Sequence, residues 1–510
     1  MASNQNGHRE VEEEEEDQAM LDPNEAEEVV EDEDGDAAMD SGGEEEDDGP
    51  GDVQQTIQLQ NDSVAHFDAH KDSIYCIAQH PTRPEIIATG GGDDTAYVWD
   101  ATPEPGPVLP ASYETNPQPR ERQSQQVIAK LGPQDETVNT IAFTLPRGDF
   151  IATGTAGGTL NVYTTPTAQS PQPHLVASAK EVDDITWIVP CPSTNEAYAN
   201  TIALGAADGS VWIYSIDGQN LNMIQSFFLH QAPCTAGAWT PGGQLLATVD
   251  EASSLYVWDV FGEAAAAGVS DPNGSQAIIR FTADDERFKV DGGLYSAAIS
   301  PGGGIVAVGG AFGNIRVISL PRLSPSAPSS SSQQKSAGKS KAPAAGASSY
   351  GQILSAFAAQ TDGVETLDFS QPPLTLLAAG SVDGSIAIFD AAKSFAVRRL
   401  IKDSHALDEV PHAVIKVEFA KTPLGTANTK AHLLTSCGND GVVRRWDVRG
   451  GTASAGQGLV KEWKGHMEND GERGGILGFV QGNGHKQVAG SHVITAGDDH
   501  VSLVFEHRDA

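Results

Sequence analysis

Cysteine is scarce in this chain of 510 residues, which contains only Cys76, Cys191, Cys234 and Cys437. None of the four belongs to a C-x-x-C pair, and none stands at zinc-ligand spacing from a histidine. Small disulfide-framed secreted domains and zinc modules both need such pairs. We therefore expect the cysteines to be apolar core residues of a protein in a reducing compartment, and we expect no metal site.

Basic side chains are also few, with 31 Lys and Arg against 70 Asp and Glu and a formal net charge of -39. Residues 1–52 hold 23 acidic side chains and one basic one, Arg9, and the other 458 residues still carry 17 more acids than bases. Binding to nucleic acid or to an anionic membrane depends on clustered Lys and Arg. The charge balance argues against direct contact with either one and favours a cationic partner.

Long apolar runs are absent as well. The chain has no stretch of about 18 apolar residues of the kind that spans a membrane. Its first residues, MASNQNGHREVEEEEED, lack the basic and apolar segments of a signal peptide. We expect a soluble monomer in the cytoplasm, with the nucleus as a second compartment.

Motifs that would indicate an enzyme are missing too. The GGGDD segment from Gly90 lacks the lysine of a phosphate loop, and neither G-x-S-x-G nor H-E-x-x-H occurs. The histidines are scattered along the chain and form no constellation with a nucleophile. The sequence therefore predicts a protein that is not an enzyme and has no cofactor.

One phrase recurs eight times from residue 63 onward: a small or apolar stretch, a tight turn, and an alternating strand that ends in a large residue. The copies read TGGGDDTAYVWD, TGTAGGTLNVYT, LGAADGSVWIYS, TVDEASSLYVWD, VGGAFGNIRVIS, AGSVDGSIAIFD, TSCGNDGVVRRWD and TAGDDHVSLVFE. Another alternating strand precedes each phrase. Period-two alternation bounded by Gly, Asp and Pro is typical of half-buried strands, and the Trp-Asp endings are typical of WD repeats.

The pattern predicts an all-β fold, an eight-bladed WD40 β-propeller. The last blade lacks one strand at the C-terminal end, and the segment around 56–68 resembles the outer strands of other repeats. We expect this N-terminal strand to close the ring and remove its open sheet edges. The predicted domains are a disordered acidic tail, 1–54, and the propeller, 55–510, with flexible insertions at 102–124 and 321–350.

Acidic residues recur at matched points of the repeats, and they are the predicted partner-binding residues. Some lie just before or within the first strand of a blade, and others lie in the turn between its second and third strands. This predicted acidic top face consists of Asp72, Glu136, Asp183, Asp184, Asp250, Glu251, Asp362, Glu365, Asp383, Asp440 and Asp499. Their combined potential would attract a segment rich in Lys and Arg, and Tyr75 and Tyr295 are placed to stack on its arginines.

The alternative for the turn acids is structural, because Asp favours tight turns by bonding to local backbone. We favour turn formation for Asp208, Asp383, Asp440 and Asp499, which each stand six residues before the strand-ending aromatic.

A second structural prediction is a hydrogen-bonded chain within a blade. It would join His70, Asp93 or Asp94, and Trp99 in the first blade, and His466 with Asp499 in the eighth, and no other blade is expected to contain it.

The repeats resemble those of the angio-associated migratory cell protein family. The resemblance rests on the acidic tail, the opening DSIYCIAQHP and IIATGGGDDTAYVWD, the phrases AGSVDGSIAIFD and CGNDGVVRRWDVR, and the ending ITAGDDHVSLVFE. It covers residues from about 55 to 510 and departs from the family at 102–124 and 321–350. The fungal branch of that family is the dedicated chaperone of the large-subunit ribosomal protein L-ten (uL-sixteen).

The resemblance implies that an acidic top surface holds the basic N-terminus of the new ribosomal protein and delivers it to the assembling large subunit. One alternative is a substrate receptor of a cullin-type ubiquitin ligase. It is suggested by Trp446-Asp447-Val448-Arg449, which matches a W-D-x-R adaptor-docking pattern.

Overall fold

Small and aliphatic residues make up most of the second strand of each repeat, as in IIATGG and TIALGA, and these strands are buried almost throughout. A strand covered on both faces needs this composition, because no polar side chain has solvent to reach. The computed structural model describes residues 61–104, 123–193, 195–269, 276–323, 350–422, 426–450, 455–467, 474–482 and 490–507.

The strands form eight four-stranded antiparallel sheets, the blades. Blades 1 and 2 contain β2 Ile74–Gln79, β3 Ile86–Gly91, β4 Ala96–Asp100, β5 Val127–Leu131, β6 Val138–Phe143, β7 Phe150–Thr155, β8 Thr159–Thr164 and β9 Leu175–Lys180. Blades 3 and 4 contain β10 Ile185–Pro190, β11 Thr201–Ala206, β12 Val211–Asp217, β13 Asn220–Phe227, β14 Cys234–Trp239, β15 Leu245–Asp250, β16 Leu255–Asp259 and β17 Ala277–Phe281.

The second half repeats this arrangement. Blades 5 and 6 contain β18 Leu294–Ile299, β19 Ile305–Gly310, β20 Asn314–Ser319, β21 Ile353–Ala358, β22 Val364–Phe369, β23 Leu376–Ser381, β24 Ile386–Asp390 and β25 Ala396–Ile401. A small hairpin, β26 Ala406–Leu407 and β27 Val410–Pro411, precedes blade 7. Blades 7 and 8 contain β28 Val414–Phe419, β29 Leu433–Gly438, β30 Val442–Asp447, β31 Leu459–Lys464, β32 Ile476–Gly482, β33 His492–Gly497, β34 Ser502–Glu506 and, from the other end of the chain, β1 Ala65–Phe67.

Neighbouring blades pack through their first strands, which contact one another around the ring. Glycine near the end of the second strand makes this packing possible. A Cβ on Gly90 would lie 2.5 Å from Cγ1 of Val138, and one on Gly380 would lie 2.7 Å from Cγ1 of Val414. The recurring glycine of the phrase therefore makes room for the next blade's first β-branched residue.

The ring closes as the sequence predicted. β1 pairs antiparallel with β34, and the Asp62 amide donates to the Lys464 carbonyl oxygen at 2.8 Å. Phe67 is fully buried and stacks on Trp99 of blade 1, with ring centroids 4.8 Å apart. The N-terminal strand thus covers the last sheet edge and ties the eighth blade to the first, which confirms the eight-bladed propeller.

Helices in the part of the chain that the structure describes are few and short. They are α1 Glu263–Ala266 and the 3-10 turns Glu196–Tyr198, Ala311–Gly313, Ala391–Lys393 and Ala455–Gly458. Over the ranges given above, no helix combines the length and apolar character needed to cross a bilayer. The predicted disordered tail at 1–54 and most of the predicted flexible insertions at 102–124 and 321–350 lie outside the described residues.

Candidate functional site: an acidic top face

Every first strand begins with the same irregularity. The pairing register with the second strand shifts at the strand's second residue in all eight blades. The bulged residues are Tyr75, Asn139, Thr186, Thr235, Tyr295, Glu365, Ile415 and Leu477. A bulge re-aims the side chain at that point, so the ring presents eight equivalent positions at one end of the propeller.

The turn between the second and third strands lies at this same end. In each blade an amide just after the second strand donates to a carbonyl oxygen just before the first strand, as Gly92 does to Ser73 at 2.9 Å and Val382 to Gly363 at 3.0 Å. We call this end the top face. It consists of the residues that enter each first strand, the eight bulged residues and the turns between second and third strands.

Six of the predicted acids are exposed to solvent on the top face. They are Asp72, Glu136, Asp183, Glu251, Asp362 and Glu365, and they come from five different blades. Asp184 is half-buried, accepts a hydrogen bond from Nδ2 of Asn139 at 3.0 Å, and has a pKa raised by burial. These seven carboxylates therefore lie on the top face, and their contact with a partner stays a prediction.

Three of the exposed carboxylates cluster around Tyr295, between blades 4 and 6. A Cβ on Gly363 would lie 3.0 Å from Oε1 of Glu365 and 3.3 Å from Cε2 of Tyr295. Burial raises the pKa of Tyr295, and the charges of Glu365, Glu251 and Asp362 raise it further. Burial, and then the charge of Asp362, raises the pKa of Glu365. This part of the top face is strongly negative and would be stabilised by a cation.

The two tyrosines proposed for stacking both occupy bulged positions. Tyr75 is 47% exposed and lies beside Asp72, since a Cβ on Gly92 would be 3.1 Å from both side chains. Tyr295 is half-buried, and its hydroxyl donates to the Gly292 carbonyl oxygen at 2.5 Å. Both rings therefore lie within the acidic surface, Tyr75 with the larger open area.

Four predicted partner-binding acids occupy a different environment, and the prediction is wrong for the three whose side chains are buried. The Asp250 and Asp440 side chains are 0% exposed and that of Asp499 is 5% exposed. Asp383 accepts hydrogen bonds from the Thr361 and Ser385 backbone amides and hydroxyls. All four carboxylates satisfy local donors, and the three buried ones are not available to a ligand. Contact of the half-buried Asp383 with a partner stays a prediction.

Complete His-Asp-Trp chains occur in blades 4 and 7, so the prediction that no other blade contains such a chain is wrong. In blade 4, His230 contacts Asp250 at 2.9 Å through Nδ1 and Thr248 at 2.8 Å through Nε2, and Trp258 donates to the same threonine hydroxyl at 2.8 Å. His230 precedes its first strand by the same four residues as His70, a spacing that was visible in the sequence.

Blade 7 builds the same chain from His405, Asp440, Ser436 and Trp446, with links of 2.8, 2.8 and 2.9 Å. The β26–β27 hairpin separates His405 from its strand, so constant spacing could not have revealed it. Burial by itself would raise the pKa of Asp440, but hydrogen bonds from His405 and Arg444 lower it to about 2.

In blade 1, the network uses Asp93 and excludes Asp94. His70 contacts Oδ1 of Asp93 at 3.1 Å and the Thr89 hydroxyl at 3.0 Å, whereas Asp94 is exposed with φ 55°. The Trp99 Nε1 atom is buried without a hydrogen-bond partner in the described chain, so this tryptophan contributes packing against Phe67.

The predicted chain of blade 8 is present. His466 contacts Oδ1 of Asp499 at 2.9 Å and the Thr495 hydroxyl at 2.7 Å.

The W-D-x-R segment ends strand β30 on the side opposite the top face. Trp446 and Val448 are buried, and the Arg449 guanidinium folds onto Asp447 at 2.6 Å. Its conformation is accounted for by contacts within the blade. Nowhere in the described ranges do three or more His, Cys, Asp or Glu side chains gather in a way that could hold a metal ion.

The chain is similar to several known proteins. Residues 61–100 match the family described as "WD domain, G-beta repeat". The chain is 30% identical over 212 residues to the "Ribosome assembly protein SQT1" of Saccharomyces cerevisiae, a match that spans 40% of this chain and only 43% of the yeast protein. It is 22% identical over 456 residues to the human "Angio-associated migratory cell protein", covering 89% of this chain and 82% of that protein.

A solved structure matches over nearly the whole propeller. It is the crystal structure of the Chaetomium thermophilum Sqt1 bound to the N-terminus of the ribosomal protein L10. The two chains are 43% identical with a TM-score of 0.70, and the match covers 88% of this chain and 100% of that one.

Proposed function

Because the chain belongs to the Sqt1 family, we propose that it is a dedicated chaperone of a newly made large-subunit ribosomal protein. It captures the basic N-terminal segment of that protein on the top face and delivers it for assembly of the large ribosomal subunit. The role is one of binding, without catalysis, and we place the encounter in the cytoplasm, where the ribosomal protein is made.

The observation that carries this proposal is the set of six exposed carboxylates that five blades present on one face. A rigid propeller holds them in place before the ligand arrives, so little ordering entropy is lost on binding. Carboxylates focused on one surface also speed the capture of a cationic segment. The Chaetomium relative, whose structure contains the N-terminus of L10, supports the choice of ligand.

The test is a binding titration with a fluorescent peptide that corresponds to the N-terminus of the ribosomal protein L10. The variant combines Asp72→Lys, Asp183→Lys and Asp362→Lys. Each exposed charge pair contributes about 0.2–1 kcal/mol to binding. The variant loses three such pairs, and its three lysines also repel the basic peptide, so we expect about a hundredfold weaker binding.

A matched control reverses three exposed acids on the opposite face, through Glu104→Lys, Glu196→Lys and Asp217→Lys. Both variants change the net charge by the same amount, so a general charge effect would weaken binding equally in the two. Equal weakening, or no binding by the native protein at moderate salt, would refute the proposal.

A further inference from the structure

One turn of the top face differs from the other seven. The second residue after each second strand is Asp93, Gly157, Asp208, Ala252, Phe312, Asp383, Asp440 or Asp499. Seven blades thus place a small or acidic residue there, and blade 5 alone places a phenylalanine. The acidic residues cap the turn or join a histidine network, tasks that a phenyl ring cannot perform.

Phe312 also adopts an unfavourable backbone conformation. Its φ and ψ are 55° and 37°, and Gly313 after it has φ 68°. The left-handed region suits Gly, Asn and Asp, whereas a bulky side chain there is strained. Neither the turn nor the blade needs a phenylalanine at this point, and such strain tends to persist where the side chain serves a function.

The ring is 63% exposed and lies beside Tyr295, the residue around which the three exposed carboxylates cluster. A Cβ on Gly292 would lie 3.7 Å from Cε2 of Phe312 and 3.9 Å from the Tyr295 hydroxyl, so the two aromatic side chains flank this glycine. The amide of Gly313 donates to the Asp362 carbonyl oxygen at 2.7 Å, which sets Phe312 directly beside the entry to blade 6.

The carboxylates around this aromatic surface have no cationic partner among the described residues. In the part of the chain that the structure describes, Glu251, Asp362 and Glu365 make no ion pair within 4.0 Å. An exposed ring that borders a group of carboxylates without ion pairs combines apolar contact area with negative charge. Among protein side chains, the arginine guanidinium matches this combination best, because it is planar, weakly hydrated and able to bond carboxylates with two donors at once.

We propose that Phe312 and Tyr295 form an aromatic docking surface for an arginine side chain of the captured segment. The guanidinium stacks on the Phe312 ring and donates hydrogen bonds to the neighbouring carboxylates. The inference rests on the proposed function and adds to it a selectivity for arginine over lysine, because a lysine ammonium is a compact, strongly hydrated charge that gains less from the ring.

The experiment compares two peptides on two proteins. The peptides are the N-terminus of the ribosomal protein L10 and the same sequence with every arginine replaced by lysine, which keeps the charge. The proteins are the native chain and Phe312→Asn, which removes the ring and places a residue that tolerates the left-handed turn. Melting temperatures are recorded alongside the titrations, and Phe312→Trp serves as the variant that keeps an aromatic surface.

We expect the native protein to bind the arginine peptide about five- to tenfold more tightly than the lysine peptide. We expect Phe312→Asn to lose this preference while its melting temperature stays equal or rises, and Phe312→Trp to retain the preference. A full preference in Phe312→Asn overturns the inference, as does an equal loss of affinity for both peptides, which would indicate an apolar occupant. If neither peptide binds the native protein, the proposed function itself has failed.

Discussion

Replacing Asp440 with alanine provides the sharpest test of how the carboxylates divide between folding and binding. The Asp440 side chain is 0% exposed. It contacts Nδ1 of His405 at 2.8 Å and Nη1 of Arg444 at 2.5 Å, and it accepts the Val442 amide at 3.2 Å. The substitution leaves these donors buried, and Arg444 keeps its pair with Glu462 at 2.9 Å and its contact with Nδ1 of His405 at 3.0 Å.

Breaking a buried, hydrogen-bonded ion pair by removing one partner costs about 3–5 kcal/mol. The lowered pKa of Asp440 accounts for part of this cost. A fall from 3.8 to about 2 corresponds to about 2 kcal/mol of stability that is present above the unfolded-state pKa and lost as the pH falls through the folded one. We therefore expect Asp440→Ala to lower the free energy of unfolding by about 3–5 kcal/mol.

The assay is urea unfolding followed by tryptophan fluorescence, paired with the peptide titration. The matched variant is Asp183→Ala, whose side chain is exposed on the top face, and we expect its stability to change by less than about 0.5 kcal/mol while its peptide binding weakens. The folded fraction of Asp440→Ala should bind the peptide normally. The reasoning is wrong if Asp440→Ala unfolds like the native protein but loses the peptide.

Two further predictions concern closure of the ring and acid sensitivity. Phe67→Ala removes a fully buried ring stacked on Trp99, and we expect a loss of about 3–5 kcal/mol in urea unfolding, whereas deletion of residues 1–52 should leave the unfolding midpoint of the propeller unchanged. Burial, and then the charge of Arg83, lowers the pKa of His80 from 6.5 to about 4. The unfolded state therefore binds the proton first, and stability should fall by about 3 kcal/mol as the pH drops from 6.5 to 4. His80→Gln should flatten this part of a plot of urea midpoint against pH, and an unchanged slope would contradict the assignment.

Most of the fold followed from local sequence. The number of blades, the order of their strands and the closing strand all appear as period-two alternation between turn residues, because a strand's buried and exposed faces alternate with each residue. The local sequence also predicted that four acids occupy matched positions, because a repeat puts equivalent residues at equivalent points of the propeller. These acids are Asp72, Glu136, Asp183 and Asp362. The resemblance to a known family supplied the expected ligand.

Local sequence could not decide which carboxylates are free. Asp208 and Asp440 stand at the same turn position, yet Asp208 is exposed while Asp440 is buried. The difference is His405, which reaches Asp440 from beyond an inserted hairpin, a contact that depends on packing between distant parts of the chain. Phe312 likewise looks like an ordinary turn residue in the sequence, and only the folded structure shows its exposure and its place beside Tyr295 and the carboxylates of other blades.

The sequence by itself thus determined an acidic, eight-bladed propeller closed by its N-terminal strand, because repetition and alternation are properties of neighbouring residues. Only the tertiary structure separated carboxylates that hold the blades together from those that face solvent. Whether a charge is buried depends on which side chains from other blades and loops surround it, and the folded ring alone brings those side chains together.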